Sequence, residues 1–124
     1  MVKQKDTIKK IKDILKNNPD GITLDFKGNI LNKSDGFYIS ITNIKGKNLN
    51  LLLRRLFFIR KFAFSQIKNK LLIGYWNDKN KNYLDLSLHI PEKDKSEYLG
   101  NLFNQLAIFN IKELNCIYLK NDNN

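Results

Sequence analysis

The 124-residue chain contains one cysteine, one histidine, one tryptophan and two prolines, and no long apolar run. A lone Cys116 can form no internal disulfide, which agrees with a reducing cytosol, and it reads as a small buried hydrophobe rather than a nucleophile. His89 and Cys116 stand 27 positions apart with no paired Cys or His spacing, so no metal centre is expected. No apolar stretch approaches the ~20 residues that span a bilayer. The start, Met1 to Asp6, lacks the hydrophobic stretch and small-residue cleavage site of a secretory signal, so a cytoplasmic protein is expected. Asn32-Lys33-Ser34 fits a glycosylation acceptor, which carries no weight without such a signal. Gly21, Gly28, Gly36, Gly46, Gly74 and Gly100 form no phosphate-cradling series, and no cofactor is expected.

What the chain has is positive charge, +10 in all and unevenly spread. Residues 1–70 carry 16 Lys or Arg against 5 Asp or Glu, whereas residues 71–124 carry 6 against 7. A polyanion gains from such clustering, because cations release counterions from phosphates. The discount is compositional: only three of the 22 cations are Arg, and the enrichment in Lys, Asn and Ile is what an AT-rich genome produces unaided.

The element pattern is more specific. Asp6 or Thr7 is placed to cap a helix running to about Asn17, with Ile8, Ile11, Ile14 and Leu15 on one stripe and Lys9, Lys10, Lys12 and Lys16 on the remainder. Asn18-Pro19-Asp20-Gly21 is a strong turn signal. Ile22, Leu24 and Phe26 alternate as a short strand, and after Asp35-Gly36 a second strand turns Phe37, Ile39 and Ile41 inward and Tyr38, Ser40 and Thr42 outward. Asn48 opens a long helix to about Phe64 whose inner stripe is Leu49, Leu52, Leu56, Ile59 and Ala63. Leu51, Phe58 and Phe62 fall outside that stripe, near Arg54, Arg55 and Lys61, to be covered by the N-terminal helix or by another chain.

Lys70 to Trp76 and Tyr83 to Ile90 read as a hairpin around the turn-forming run Asn77 to Asn82. Pairing Trp76 with Tyr83 aligns Leu71, Ile73, Tyr75, Leu84, Leu86 and Leu88 on one face, with Asp85, Ser87 and His89 on the other. Asp94 with Glu97 resembles a capping box for a helix with Leu99, Leu102, Phe103 and Leu106 inside, and Cys116 to Leu119 is the last strand. Ala107 to Ile111 reads as either helix or strand.

From Gly36 the order is β-α-β-β-α-β. The expected fold is α+β: a ferredoxin-like antiparallel sheet with two helices on one face, preceded by an N-terminal helix and short strand. Residues 1–20 form the basic helix and turn, residues 21–120 a single domain, and residues 121–124 a frayed tail.

Candidate chemistry is sparse. Asp85, Ser87 and His89 are the residue types of a catalytic triad, but alternate positions on one strand separate Asp85 from His89 by roughly 13 Å. Tyr38, Trp76 and Tyr83 on an open sheet face are candidates for stacking on bases, although the Gly-aromatic pattern of RNA-recognition motifs is missing. Lys9, Lys10, Lys12, Arg54, Arg55 and Lys61 are the candidate nucleic-acid contacts, and Leu51, Phe58 and Phe62 the candidate protein interface.

Gly21-Ile22-Thr23 with Lys27-Gly28-Asn29, Gly36-Phe37-Tyr38-Ile39-Ser40, Ile73-Gly74-Tyr75-Trp76-Asn77-Asp78, Tyr83-Leu84-Asp85-Leu86-Ser87 and Gln105-Leu106-Ala107-Ile108-Phe109 together resemble small uncharacterised proteins of bacteriophages and mobile elements. The resemblance covers about residues 20–119 and implies a viral or mobile-element setting, with no catalytic residue to carry across. The expected function is non-enzymatic: a phage-type accessory protein that associates with nucleic acid or nucleoprotein through its basic N-terminal half. The alternative is a protein-interaction module or inhibitor of a host system, acting through the apolar helix patch or the sheet face.

Overall fold

A computed structural model describes residues 3–33, 35–103 and 107–119. Within them the chain runs α1 (Gln4–Lys16), β1 (Ile22–Leu24), β2 (Phe37–Gly46), α2 (Leu49–Ala63), β3 (Leu72–Asp78), β4 (Lys81–Ile90), α3 (Lys93–Leu102), β5 (Ala107–Asn110) and β6 (Asn115–Tyr118), with a 3-10 turn at Lys68–Lys70. The strands form one antiparallel sheet in the order β1-β3-β4-β2-β5-β6, so the class is α+β. This differs from the four-stranded ferredoxin-like sheet expected. β1 adds to β3 at one edge, and the final strand is replaced by a β5–β6 hairpin. The expected frayed tail, Asn121 to Asn124, and the inward Leu106 lie outside the described residues.

The chain divides into two compact units, the first comprising the segment up to Leu31 with Thr42–Leu86, the second Asn32–Ile41 with the segment from Ser87 onward. Both β2 and β4 pass through the two.

In the first unit α1 begins earlier than expected. Lys3 is its N-cap without a side-chain bond, so neither Asp6 nor Thr7 caps it, and Asp6 instead sits in the first turn, where a negative charge suits the helix dipole. Ile8, Ile11 and Leu15 are buried, and α1 packs on α2. At α2 the Asn48 Oδ1 accepts a hydrogen bond from Leu51 N at 3.1 Å, which satisfies one of the free amides of the first turn. The buried stripe of α2 is Leu49, Leu52, Leu53, Leu56 and Phe57, while Ile59 is half-buried and Ala63 exposed. It is rotated from the expected stripe toward Leu53 and Phe57, because the helix packs against α1 and Phe57 meets Phe26.

β1 ends sooner than the alternation suggests. Asp25 folds the chain over itself: its Oδ1 accepts from Lys27 N at 2.8 Å and Asn29 N at 2.9 Å, and its Oδ2 from Asn29 Nδ2 at 2.9 Å. Phe26 therefore reaches the core from a turn. Its ring meets Phe57 edge-on at 4.9 Å and carries the Arg60 guanidinium 4.4 Å above it.

The hairpin has the expected register in a tighter form. β3 and β4 continue to Asp78 and Lys81, leaving Lys79 and Asn80, with φ of 51° and 67°, as a two-residue turn of the type whose twist matches the strands. A Cβ on Gly74 would collide with the Asp85 carboxylate, which fixes Gly74 opposite Asp85. Leu71, Ile73, Tyr75, Leu84 and Leu86 are buried, whereas Leu88 is half-buried and Ser87 buried.

In the second unit Phe37, Ile39 and Ile108 form the core, with Ile90, Leu99, Ile117 and Leu119 packed around it. α3 has Glu92 as N-cap without a side-chain bond, so the Asp94–Glu97 capping box does not form. Leu102 is exposed; the helix instead approaches through Ser96 and Gly100, because a Cβ at Gly100 would meet Ile108 and Leu119 at 2.9 and 2.6 Å. Cys116, expected inside, is exposed on the edge strand β6.

Candidate nucleic-acid interface

Four lysines fall on one line of α1. Lys5, Lys9, Lys12 and Lys16 are spaced by four, three and four residues, a spacing that keeps them within one narrow arc of a helix over about 16 Å of its length. Three hollows follow the α1–α2 seam in the first unit and share lining residues. One holds Lys5, Lys9, Lys12, Lys16 and Arg54, with Asp6 and Asp13. The next shares Lys5, Ile8 and Arg54 with it and adds Lys61, Phe58 and Phe62. The third shares Lys12, Lys16 and Asn50 and adds Lys47, Asn48 and the hairpin residues Asn77, Asn80 and Asn82. The seam is therefore one groove with seven cations and two carboxylates along it. Among the described residues none of those seven cations is held in a salt bridge; the Lys93–Glu97 pair at 3.9 Å lies on α3.

The expected contacts divide accordingly. Lys9, Lys12, Arg54 and Lys61 line the groove. Lys10 does not: its stem lies against Gly28, whose φ of +88° and missing Cβ leave that space. Arg55 is exposed on α2 but outside the groove lining, one turn from Leu51 and Phe58. Lys5, Lys16 and Lys47 were missed, though the four-three-four spacing of the α1 lysines is legible in the sequence. The third arginine, Arg60, is structural, since its Nε donates to Lys68 O at 2.9 Å.

The apolar patch is open. Leu51, Phe58 and Phe62 are 53%, 62% and 64% exposed, so α1 does not cover them. The Phe58 and Phe62 rings lie 4.6 Å apart, and Lys61 Nζ sits 5.5 Å from the Phe62 ring centre.

The candidate stacking residues belong to different units. Trp76 and Tyr83 stack on each other in the first unit, beside a hollow lined by Asn43, Lys45 and Asp85. Tyr38 belongs to the second unit, stacked on Phe109 at 6.5 Å and edge-on to His89 at 5.9 Å. His89 Nε2 lies 2.9 Å from Asp35 O, and since a carbonyl only accepts, that nitrogen carries the proton. Among the described residues no three His, Cys, Asp or Glu side chains are grouped to hold a metal ion, and no helix is long and apolar enough to cross a membrane.

Partial burial raises the Asp25 carboxyl, but the hydrogen bonds from Asn29 and Lys27 and the Lys27 charge outweigh it and hold it below its ordinary value. Burial lowers Arg60, opposed by the Asp25 charge. Comparison of the chain with protein-family models, curated proteins and solved structures finds no match.

Proposed function

We propose that this α+β protein is a non-enzymatic nucleic-acid-binding accessory protein whose contact surface is the α1–α2 groove. The observation that carries the reading is the shared lining of the three hollows: cations from both helices follow one track without salt-bridge partners among the described residues. A track of lysines, exposed but for the half-buried Lys12, suits a phosphate backbone, since each contact releases counterions and needs no fixed geometry. A host cytoplasm and a phage or mobile-element setting belong to the same proposal, the latter on the resemblance alone. So does a ferredoxin-like arrangement for the β3-β4-β2-β5 stretch of the sheet.

A second reading, a protein-interaction module, draws on the exposure of Leu51, Phe58 and Phe62. The test is retention of labelled DNA and RNA at low salt, followed over rising salt. Arg54→Glu should weaken binding alike for every sequence and reduce the salt slope by about one. Arg55→Glu, outside the groove, should do less. Failure of the folded protein to retain either nucleic acid would make the +10 charge a product of genome composition and promote the protein-interaction reading.

A further inference from the structure

We propose that the groove takes single-stranded rather than duplex nucleic acid, with Phe58 and Phe62 as the surface on which unpaired bases stack; this rests on the nucleic-acid reading of the same groove. The two phenylalanines lie a helical turn apart on α2 and line the same hollow as Lys5, Arg54 and Lys61. Leu51, two turns before Phe58 with Arg55 between them, is exposed on the same stripe, and α2 carries no acidic residue to repel phosphate. Rings and cations thus run side by side along the helix. Lys61 and Arg54 fall on the α1 side of the stripe, so a strand whose phosphates follow the cations would turn its bases toward the rings.

That combination fits one form of the polymer. A duplex keeps its bases stacked inside and would set the exposed rings against a charged backbone, leaving them unpaired with anything apolar. A single strand offers both parts, phosphates for the cationic track and base faces for the rings, with little dependence on sequence because every base has a π-face. The aromatic residues of the sheet are less suited to the task. Neither Trp76 nor Tyr83 lines the groove, so neither stands beside its cations.

The experiment compares a labelled oligothymidylate with a duplex of equal length, by fluorescence anisotropy, on the whole chain and on Phe58→Leu with Phe62→Leu. Leucine keeps the exposed volume apolar and removes only the ring, so folding is preserved. The wild type should bind the single strand more tightly than the duplex. The double variant should bind the single strand about tenfold more weakly and lose its preference for the single strand over the duplex, with the salt slope kept because no cation is removed. Equal binding of both forms, or wild-type affinity in the double variant, would overturn the stacking proposal and leave the cationic groove standing. Absence of binding to either form at low salt, with the protein folded, would remove the groove reading and this one together. Binding to phosphatidylserine-containing vesicles without binding to oligothymidylate would likewise overturn the proposal and assign the stripe to an anionic lipid surface.

Discussion

The indole of Trp76 lies flat on the ring of Tyr83, with centroids 4.1 Å apart and planes 6° from parallel. The pair joins neighbouring strands three positions from the Lys79-Asn80 turn, where it holds the hairpin closed. Replacing each by leucine, singly and together, should give a coupling of about 0.5–1.5 kcal/mol in a double-mutant cycle. Trp76 is the only tryptophan, so unfolding of the variants that lack it is followed by circular dichroism. A coupling near zero would show that the stack adds nothing beyond the burial of each ring.

Gly74 gives the register a second test. A methyl group there would collide with the Asp85 carboxylate from the paired strand. Gly74→Ala should therefore lower stability by about 1–3 kcal/mol, the range for inserting atoms into filled space. Adding Asp85→Ala should recover part of that loss in a denaturant titration. No recovery would mean that the alanine disturbs the backbone of β3 itself.

Where local spacing and tertiary packing agree, the fold was legible: the Asn48 cap, the inward Phe37, Ile39 and Ile41, and the hairpin register are all in place. The misses share a cause. The tilt of the α2 stripe toward Leu53 and Phe57 depends on where α1 docks, and α3 hides Gly100 rather than Leu102 because Ile108 of β5 and Leu119 come close to its backbone. Neither fact is a property of the segment alone. The groove was half legible, since helical spacing lines up the α1 lysines but cannot say that Arg54 and Lys61 face them or that Lys10 turns away to Gly28.

The Asp25 turn should give the protein an acid-sensitive increment of stability. Its folded-state pKa is depressed, so the unfolded chain takes up the proton first on acidification. The stabilisation is complete above the unfolded pKa, about 4, and is lost as pH falls through the folded value. Asp25→Asn should cost about 1 kcal/mol at neutral pH, given that the bonds from Asn29 and Lys27 lie near the surface. Melting curves of the two proteins should converge below about pH 4. A constant difference across that range would show that the amide loses shape rather than charge.

Phe57 and Phe58 are neighbours in sequence with opposite fates, the first 8% exposed against Phe26 and the second 62% exposed on the outer rim. Had α1 covered the outer patch, a charge at either position would disrupt the core. With the patch open, Phe58→Asp should change stability by no more than about 0.5 kcal/mol. Phe57→Asp places a carboxylate among buried rings and removes a packed aromatic, a loss of about 3–5 kcal/mol from the cavity alone. Sedimentation beside a melting curve separates folding from association. Phe58→Asp should sediment as a folded monomer with a wild-type melting temperature, and any larger species seen in the wild type should vanish with it. A large drop in melting temperature for Phe58→Asp would mean that this ring packs inside the fold.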